Sequence, residues 1–216
     1  MPERSTTRVV LIRHGESRAT VDRIAGGEQG CRGLTERGVQ QSRALRERIQ
    51  RTGELKGATA LLASTLPRAV ETAEILAPAL GLSVERHRDL CEMHPGAGDG
   101  LSWDEFDQRF GGFSFEAEPY RAVAPGGESW AEFELRVGAV LAQVVDKNIG
   151  GFVVVACHGG VIGASLALLL GLSGAGPRAV VGELRNTSLT EWVCELRPPS
   201  GPHWQLVRFN DASHLD

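Results

Sequence analysis

The chain has 216 residues, with 23 Lys+Arg against 27 Asp+Glu and a formal net charge of −4 at pH 7. Its pI of about 5.9 argues against a general nucleic-acid binder, which shows a basic excess. Hydrophobic residues at 42% and charged residues at 23% are ordinary for a soluble globular chain and set aside disordered, collagen-like and membrane classes. Of the basic residues only Lys56 and Lys147 are lysines, which leaves 21 arginines. Either codon preference or a need for rigid bidentate forks on phosphate or carboxylate explains that bias. The four cysteines, Cys31, Cys91, Cys157 and Cys194, are far apart without a C-x-x-C pair, so they read as reduced thiols, not a zinc cluster.

Met1 to Arg8 is polar and leads into four consecutive apolar residues, Val9 to Ile12. Four are too few for a signal-peptide core or a membrane span, so the expected location is cytoplasmic. Arg8 to Ile12 reads as a buried parallel strand, continuous and β-branched. A glycine-rich loop, Gly26 to Gly33, precedes a helix that begins at Thr35 and runs to about Arg51. That helix turns Val39, Leu45 and Ile49 inward, and its arginines Arg43 to Arg51 read as a solvated face. Ala58 to Ala63 is the second strand. Pro67 opens a helix to Leu80, and Ser83 to His87 is a weaker third strand.

From Asp89 to Gly127 the chain is irregular, with one helix expected around Trp103 to Phe110. A segment of this length reads as a lid or insertion. Regular structure resumes at Ser129 with an amphipathic helix carrying Trp130, Phe133, Val137, Leu141 and Val144. Phe152 to Cys157 is the strongest strand. A helix from Val161 to Leu170 follows, then strands at Ser188 to Val193 and Trp204 to Phe209. The alternation predicts a single domain over residues 1–216, a three-layer α/β/α sandwich with a mostly parallel central sheet and 89–127 as the lid.

In such sheets ligands sit at the carboxyl ends of the strands. The first strand ends in Arg13-His14-Gly15-Glu16-Ser17 and the strongest later strand in Cys157-His158-Gly159-Gly160. Ser64 to Thr72 ends the second strand and places Arg68 in the first turn of a helix. There it either pairs with Glu71 or Glu74 or shares an anion with the helix terminus. Two histidines and two arginines at one rim suit a phosphoryl group. A neutral imidazole is a competent nucleophile, and a second, protonated histidine with two guanidiniums can hold the charged oxygens. An acid for the leaving alkoxide is then required, and Glu92, Asp99, Asp104 and Glu105 compete for that role.

These blocks, together with Leu34-Thr35-Glu36-Arg37-Gly38, Pro125-Gly126-Gly127-Glu128-Ser129 and Asn186-Thr187-Ser188-Leu189, resemble the histidine phosphatase superfamily, in family order over nearly the whole chain. The resemblance implies that His14 is the nucleophile of a phosphohistidine intermediate. It implies that Arg13, Arg68, His158 and the Gly159 N–H hold the phosphoryl group. Glu92 matches the acid of the mutase-like branch, since Gly159 stands where the acid-phosphatase branch has Asp. Glu16 either orients the first loop or caps a helix. Two positions depart from the pattern: Thr20 stands where many relatives have Asn, and Cys31 where many have Asp. The resemblance gives the Thr20 position a hydrogen bond to the phosphate, which a hydroxyl can still donate, whereas the atypical Gly26 to Gly33 segment with Cys31 bears on substrate preference more than on chemistry.

The expected activity is hydrolysis of a small-molecule phosphate ester with no cofactor and no metal, and without nucleic-acid or membrane partners. Mutase-type phosphotransfer is the alternative, and a non-catalytic protein-binding role is the second. Between Asp89 and Gly127 only Arg109 and Arg121 offer positive charge, so an uncharged or partly apolar alcohol is expected, with His94 and Trp103 as candidate contacts.

Overall fold

The computed structural model describes residues 5–172, 183–197 and 201–216. Its strands are β1 (Ser5–Arg13), β2 (Ala60–Ala63), β3 (Val84–Arg86), β4 (Phe152–Cys157), β5 (Leu189–Arg197) and β6 (Gly201–Asp211). They form one sheet in the order β3-β2-β4-β1-β5-β6. The first four in that order run parallel, while β5 and β6 close the far edge as an antiparallel hairpin. Every residue of β4 is buried, as its unbroken apolar run requires of a strand covered on both faces.

Strand alternation divides the core. Val9, Leu11, Val153 and Val155 face α5 (Trp130–Lys147) and α6 (Gly159–Leu169), whereas Val10, Ile12, Val154 and Ala156 face α2 (Glu36–Thr52) and α3 (Pro67–Leu80). Three layers result, as the sequence predicts. Helix boundaries follow capping chemistry. Thr35 caps α2 by accepting the Gly38 N–H at 3.0 Å, and a left-handed Gly53 ends it. Ser129 and Glu132 form a reciprocal capping box on α5, and Ser102 and Glu105 do the same on α4 (Trp103–Phe110). The four-residue α1 (Arg18–Val21), capped by Ser17, is too short to show a period and was not predicted. The hairpin strands run beyond their predicted ends because each supplies the other's backbone partners.

One expectation fails. Arg48 does not lie on a plain solvated face: its side chain is 10% exposed and joins an ion network between α2 and the hairpin. Arg48 reaches Glu54 at 2.7 Å and Asp211 at 2.6 Å, while Arg208 bridges Glu54, Asp211 and Glu191, and Glu191 also pairs with Arg8. Acids from the turn after α2 and from β6 pull the guanidinium inward, a tertiary effect that helical periodicity cannot register. Both lysines are exposed, Lys147 at the end of α5 and Lys56 in the turn before β2. Among the described residues no helix is long and apolar enough to cross a membrane.

Candidate active site

Three adjacent parallel strands, β1, β4 and β2, end side by side and deliver His14, His158 and Ser64 to one rim. The His14 N–H donates to Cys157 O at 3.0 Å and the Ser64 N–H to Ala156 O at 3.1 Å, continuing the ladder past the last strand residues. The two imidazole centroids are 5.2 Å apart. Arg68, second residue of α3, donates through Nε to His14 Nε2 at 3.1 Å and through a terminal nitrogen to Gly26 O at 2.7 Å. It makes no ion pair with its helix neighbours. Glu71 instead accepts the Leu34 N–H, and Glu74 pairs with Arg86.

The tautomer of His14 follows from its partners. Nδ1 lies 2.6 Å from Gly15 O, and a carbonyl can only accept, so Nδ1 carries the proton. Nε2 is left with its lone pair toward the Arg68 donor. Burial, then Arg68 and Arg13, push the His14 pKa well below its usual value. The backbone is held as firmly as the ring. Asn186 Nδ2 donates to His14 O at 3.0 Å, the Thr187 N–H to Arg13 O at 2.9 Å, and the Gly15 N–H to Thr72 Oγ1 at 3.1 Å. Gly15 packs against the Gly38 carbonyl so closely that a Cβ would collide with it. Glu16 does orient this loop, accepting from the Thr35 hydroxyl at 2.8 Å.

His158 is fully buried, and burial together with Arg68, His14 and Arg13 pushes its pKa well down, which works against the protonated imidazolium that the charge argument anticipates. Ser64 Oγ holds its Nε2 at 2.6 Å. Burial also lowers His214 to about 4, beside the Thr187 hydroxyl at 2.8 Å. The unfolded chain protonates all three rings near pH 6.5 while the folded chain resists, so their stabilising contribution is present above pH 6.5 and lost as pH falls below it. The melting temperature is therefore expected to drop by several degrees between pH 7 and pH 4.5, before most carboxylates titrate. A flat profile across that window would contradict the buried neutral rings.

Of the four competing acids, Glu92 alone lines the cavity containing His14. Its Oε2 accepts the Gly160 N–H, in the first turn of α6, at 3.0 Å, and a Cβ at Gly160 would strike the carboxylate. The others are committed elsewhere. Asp99 accepts the N–H groups of Gly27, Gln29 and Gly30 at 2.8–2.9 Å and so staples the glycine-rich loop. Glu105 caps α4, and Asp104 is exposed beside Arg23. Arg13 donates to Leu184 O, and its buried Nε has no partner among the described residues. Gly159 is its neighbour: a Cβ there would stand 3.7 Å from that nitrogen. Thr20 lines the cavity with its hydroxyl 2.9 Å from Ser17 Oγ. Cys31 is buried against Leu66 and Cys91, outside the cavity. Trp103 lines the cavity, but His94 does not. The backbone of His94 is instead paired with Glu128.

Sequence reasoning assigned no role to Ser64 or to the Arg136–Glu128 pair, and it offered Asp99 as a candidate acid where the structure uses it to staple the glycine-rich loop. Arg136 meets Glu128 in a fork with both contacts at 2.7 Å and donates to the carbonyls of Asp89, Cys91 and Glu92, fixing the segment that carries Glu92. The available signal was an arginine next to the buried stripe of α5, three residues after Phe133.

A family model for the histidine phosphatase superfamily (branch 1) matches residues 9–212. A probable phosphoglycerate mutase, GpmB of Yersinia pestis (strain Pestoides F), is 29% identical over 217 aligned positions, covering 96% of this chain and 94% of the relative. A mycobacterial glucosyl-3-phosphoglycerate phosphatase, solved with VO3, superposes with a TM-score of 0.77 at 29% identity, covering 94% of this chain and 98% of that one. Bacillus stearothermophilus YhfR superposes with a TM-score of 0.80 at 26% identity, covering 97% and 100%. The matched span includes both strand-end histidines, both arginines and the acid beside them, and the chain belongs to the histidine phosphatase superfamily.

Proposed function

We propose that the protein is a phosphomonoesterase that hydrolyses small phosphorylated metabolites in the cytoplasm through a phosphohistidine on His14. One observation carries this reading: the Nδ1 proton of His14 is committed to Gly15 O, so Nε2 carries no proton, and His14 lines the same cavity as Arg13, Arg68 and Glu92, with Arg68 the one group Nε2 must exchange for phosphorus. Nε2 attacks phosphorus, the P–OR bond breaks, and the acid form of Glu92 gives its proton to the departing alkoxide. The resulting Glu92 carboxylate then takes a proton from water as the water oxygen attacks phosphorus. The P–N bond breaks, returning neutral His14, the Glu92 acid and inorganic phosphate. Arg13, Arg68 and a neutral, hydrogen-bonding His158 hold the equatorial oxygens, with the Gly159 N–H and the Thr20 hydroxyl at the edge.

Hydrolysis is favoured over mutase chemistry because the 89–127 segment offers no cation to clamp a substrate carboxylate. Arg121 is spent on Glu118 and on the carbonyls of Phe110 and Gly112, and neither it nor Arg109 lines the cavity. The buried, unpaired thiols support the cytoplasmic assignment. The intact set of His14, Arg13, Arg68, Glu92 and His158 speaks against a purely protein-binding role.

The test is a rapid quench with a radiolabelled phosphomonoester. An acid-labile, base-stable phosphoprotein should form and decay with phosphate release, with or without EDTA, because guanidiniums supply the charge a metal would supply. Loss of turnover in EDTA, or no labelled protein despite turnover, would overturn the mechanism. Phosphoglycerate interconversion dependent on a bisphosphoglycerate primer would favour the mutase reading.

A further inference from the structure

The cavity above His14 encloses about 730 Å3, within the range of roughly 300–1,000 Å3 for sites that hold a whole small molecule. Its wall is aromatic. Trp103, Phe106, Phe113, Phe115, Trp130 and Phe133 all line it. They run ring to ring without a break, with successive centroids 5.3, 6.0, 4.9, 5.2 and 5.5 Å apart. Phe106 and Phe133 are fully buried and anchor the chain of rings, while Phe113 and Phe115 are half-buried.

The polar groups on the opposite side do little to offset this. Thr20 is turned to Ser17, and Arg23 is an exposed rim residue 3.7 Å from Asp104. The other charged lining residues are Arg13, Arg68, Glu92 and Glu183; Arg68 and Glu92 serve the end used by the phosphoryl group with His14 and Arg13, and Glu183 lies close enough to Arg13 to act on its charge. A hydroxylated or carboxylated alcohol laid along such a wall loses water without finding partners. An apolar one gains by every methylene it buries.

We propose that the preferred substrates are monophosphates of apolar alcohols, aryl or medium-chain alkyl, whose hydrocarbon lies against this wall. The proposal rests on the phosphomonoesterase reading and names its substrate class. A series of n-alkyl monophosphates from ethyl to octyl tests it, because leaving-group acidity is nearly constant while apolar surface grows. kcat/KM should rise by roughly two- to fourfold per methylene until the wall is covered, and hexyl phosphate should exceed 3-phosphoglycerate. A flat or falling series, or faster turnover of 3-phosphoglycerate, would overturn the proposal.

Phe113→Ser should reduce the hexyl-to-ethyl ratio severalfold, with the melting temperature verifying the fold. An unchanged ratio in a folded variant would remove Phe113 from the wall and count against the proposal. n-Alkylphosphonates of the same lengths, which bind but cannot release an alcohol, separate the two readings by titration. Tighter binding with length in a protein that hydrolyses no ester would sink the phosphatase reading and leave the apolar site standing. Length-independent binding beside ordinary ester hydrolysis would do the reverse.

Discussion

His14→Ala is expected to lower phosphate release from any monoester by about four orders of magnitude or more, because it removes the group set to form the covalent bond. The structure makes this variant clean. The ring's Nδ1 partner is the carbonyl of the next residue, and the hydrogen bonds from Asn186 and Thr187 reach the backbone of this loop, not the imidazole. Alanine should therefore leave the strand end in place, and binding of a phosphonate should survive within a few-fold while turnover vanishes. Residual turnover within tenfold of the parent chain would mean that another nucleophile, or direct attack by water, does the chemistry.

Glu92→Gln should separate substrates by their leaving groups. Turnover of an alkyl phosphate should fall by about 10²–10⁴-fold, the range for a lost general acid. An aryl phosphate, whose phenolate departs unaided, should lose far less in the first chemical step. Glutamine retains an oxygen for the Gly160 N–H, so the loop keeps its anchor. Arg136→Gln should show the same leaving-group signature in weaker form, since Arg136 touches three carbonyls of that segment and not the cavity. Equal losses on both substrate classes would assign the proton transfer to another group.

The parts of this molecule legible in its sequence were those governed by local pattern. β4 was legible because six buried residues in a row fit a strand covered on both faces, and α5 because its apolar stripe follows a capping box. His14, His158 and Arg68 were legible because strand ends and helix starts are fixed by short-range signals, and the sheet brings those ends together. What stayed hidden depends on groups far apart in the chain. Asp99 serves a loop some 70 residues away, and Arg136 one about 45 residues away. The burial of His158 is hidden for the same reason: it is the largest influence on the ring, and Arg68 and Arg13 push its pKa in the same direction. The arginine bias was also only partly decoded: beyond Arg13 and Arg68, the forks at Arg48, Arg136 and Arg208 each bind more than one acceptor in partly buried ion pairs.

Placing all the chemistry at the carboxyl ends of the strands has a practical side. Lys56, in the turn before β2, and Lys147, the last residue of α5 before β4, lie at the amino ends of those strands, the opposite end of the sheet from His14. Side-chain amine coupling would therefore tether the protein by the rim farthest from its cavity. Immobilised on an amine-reactive support, or labelled with a lysine-directed dye, the enzyme would present its mouth outward to the solution.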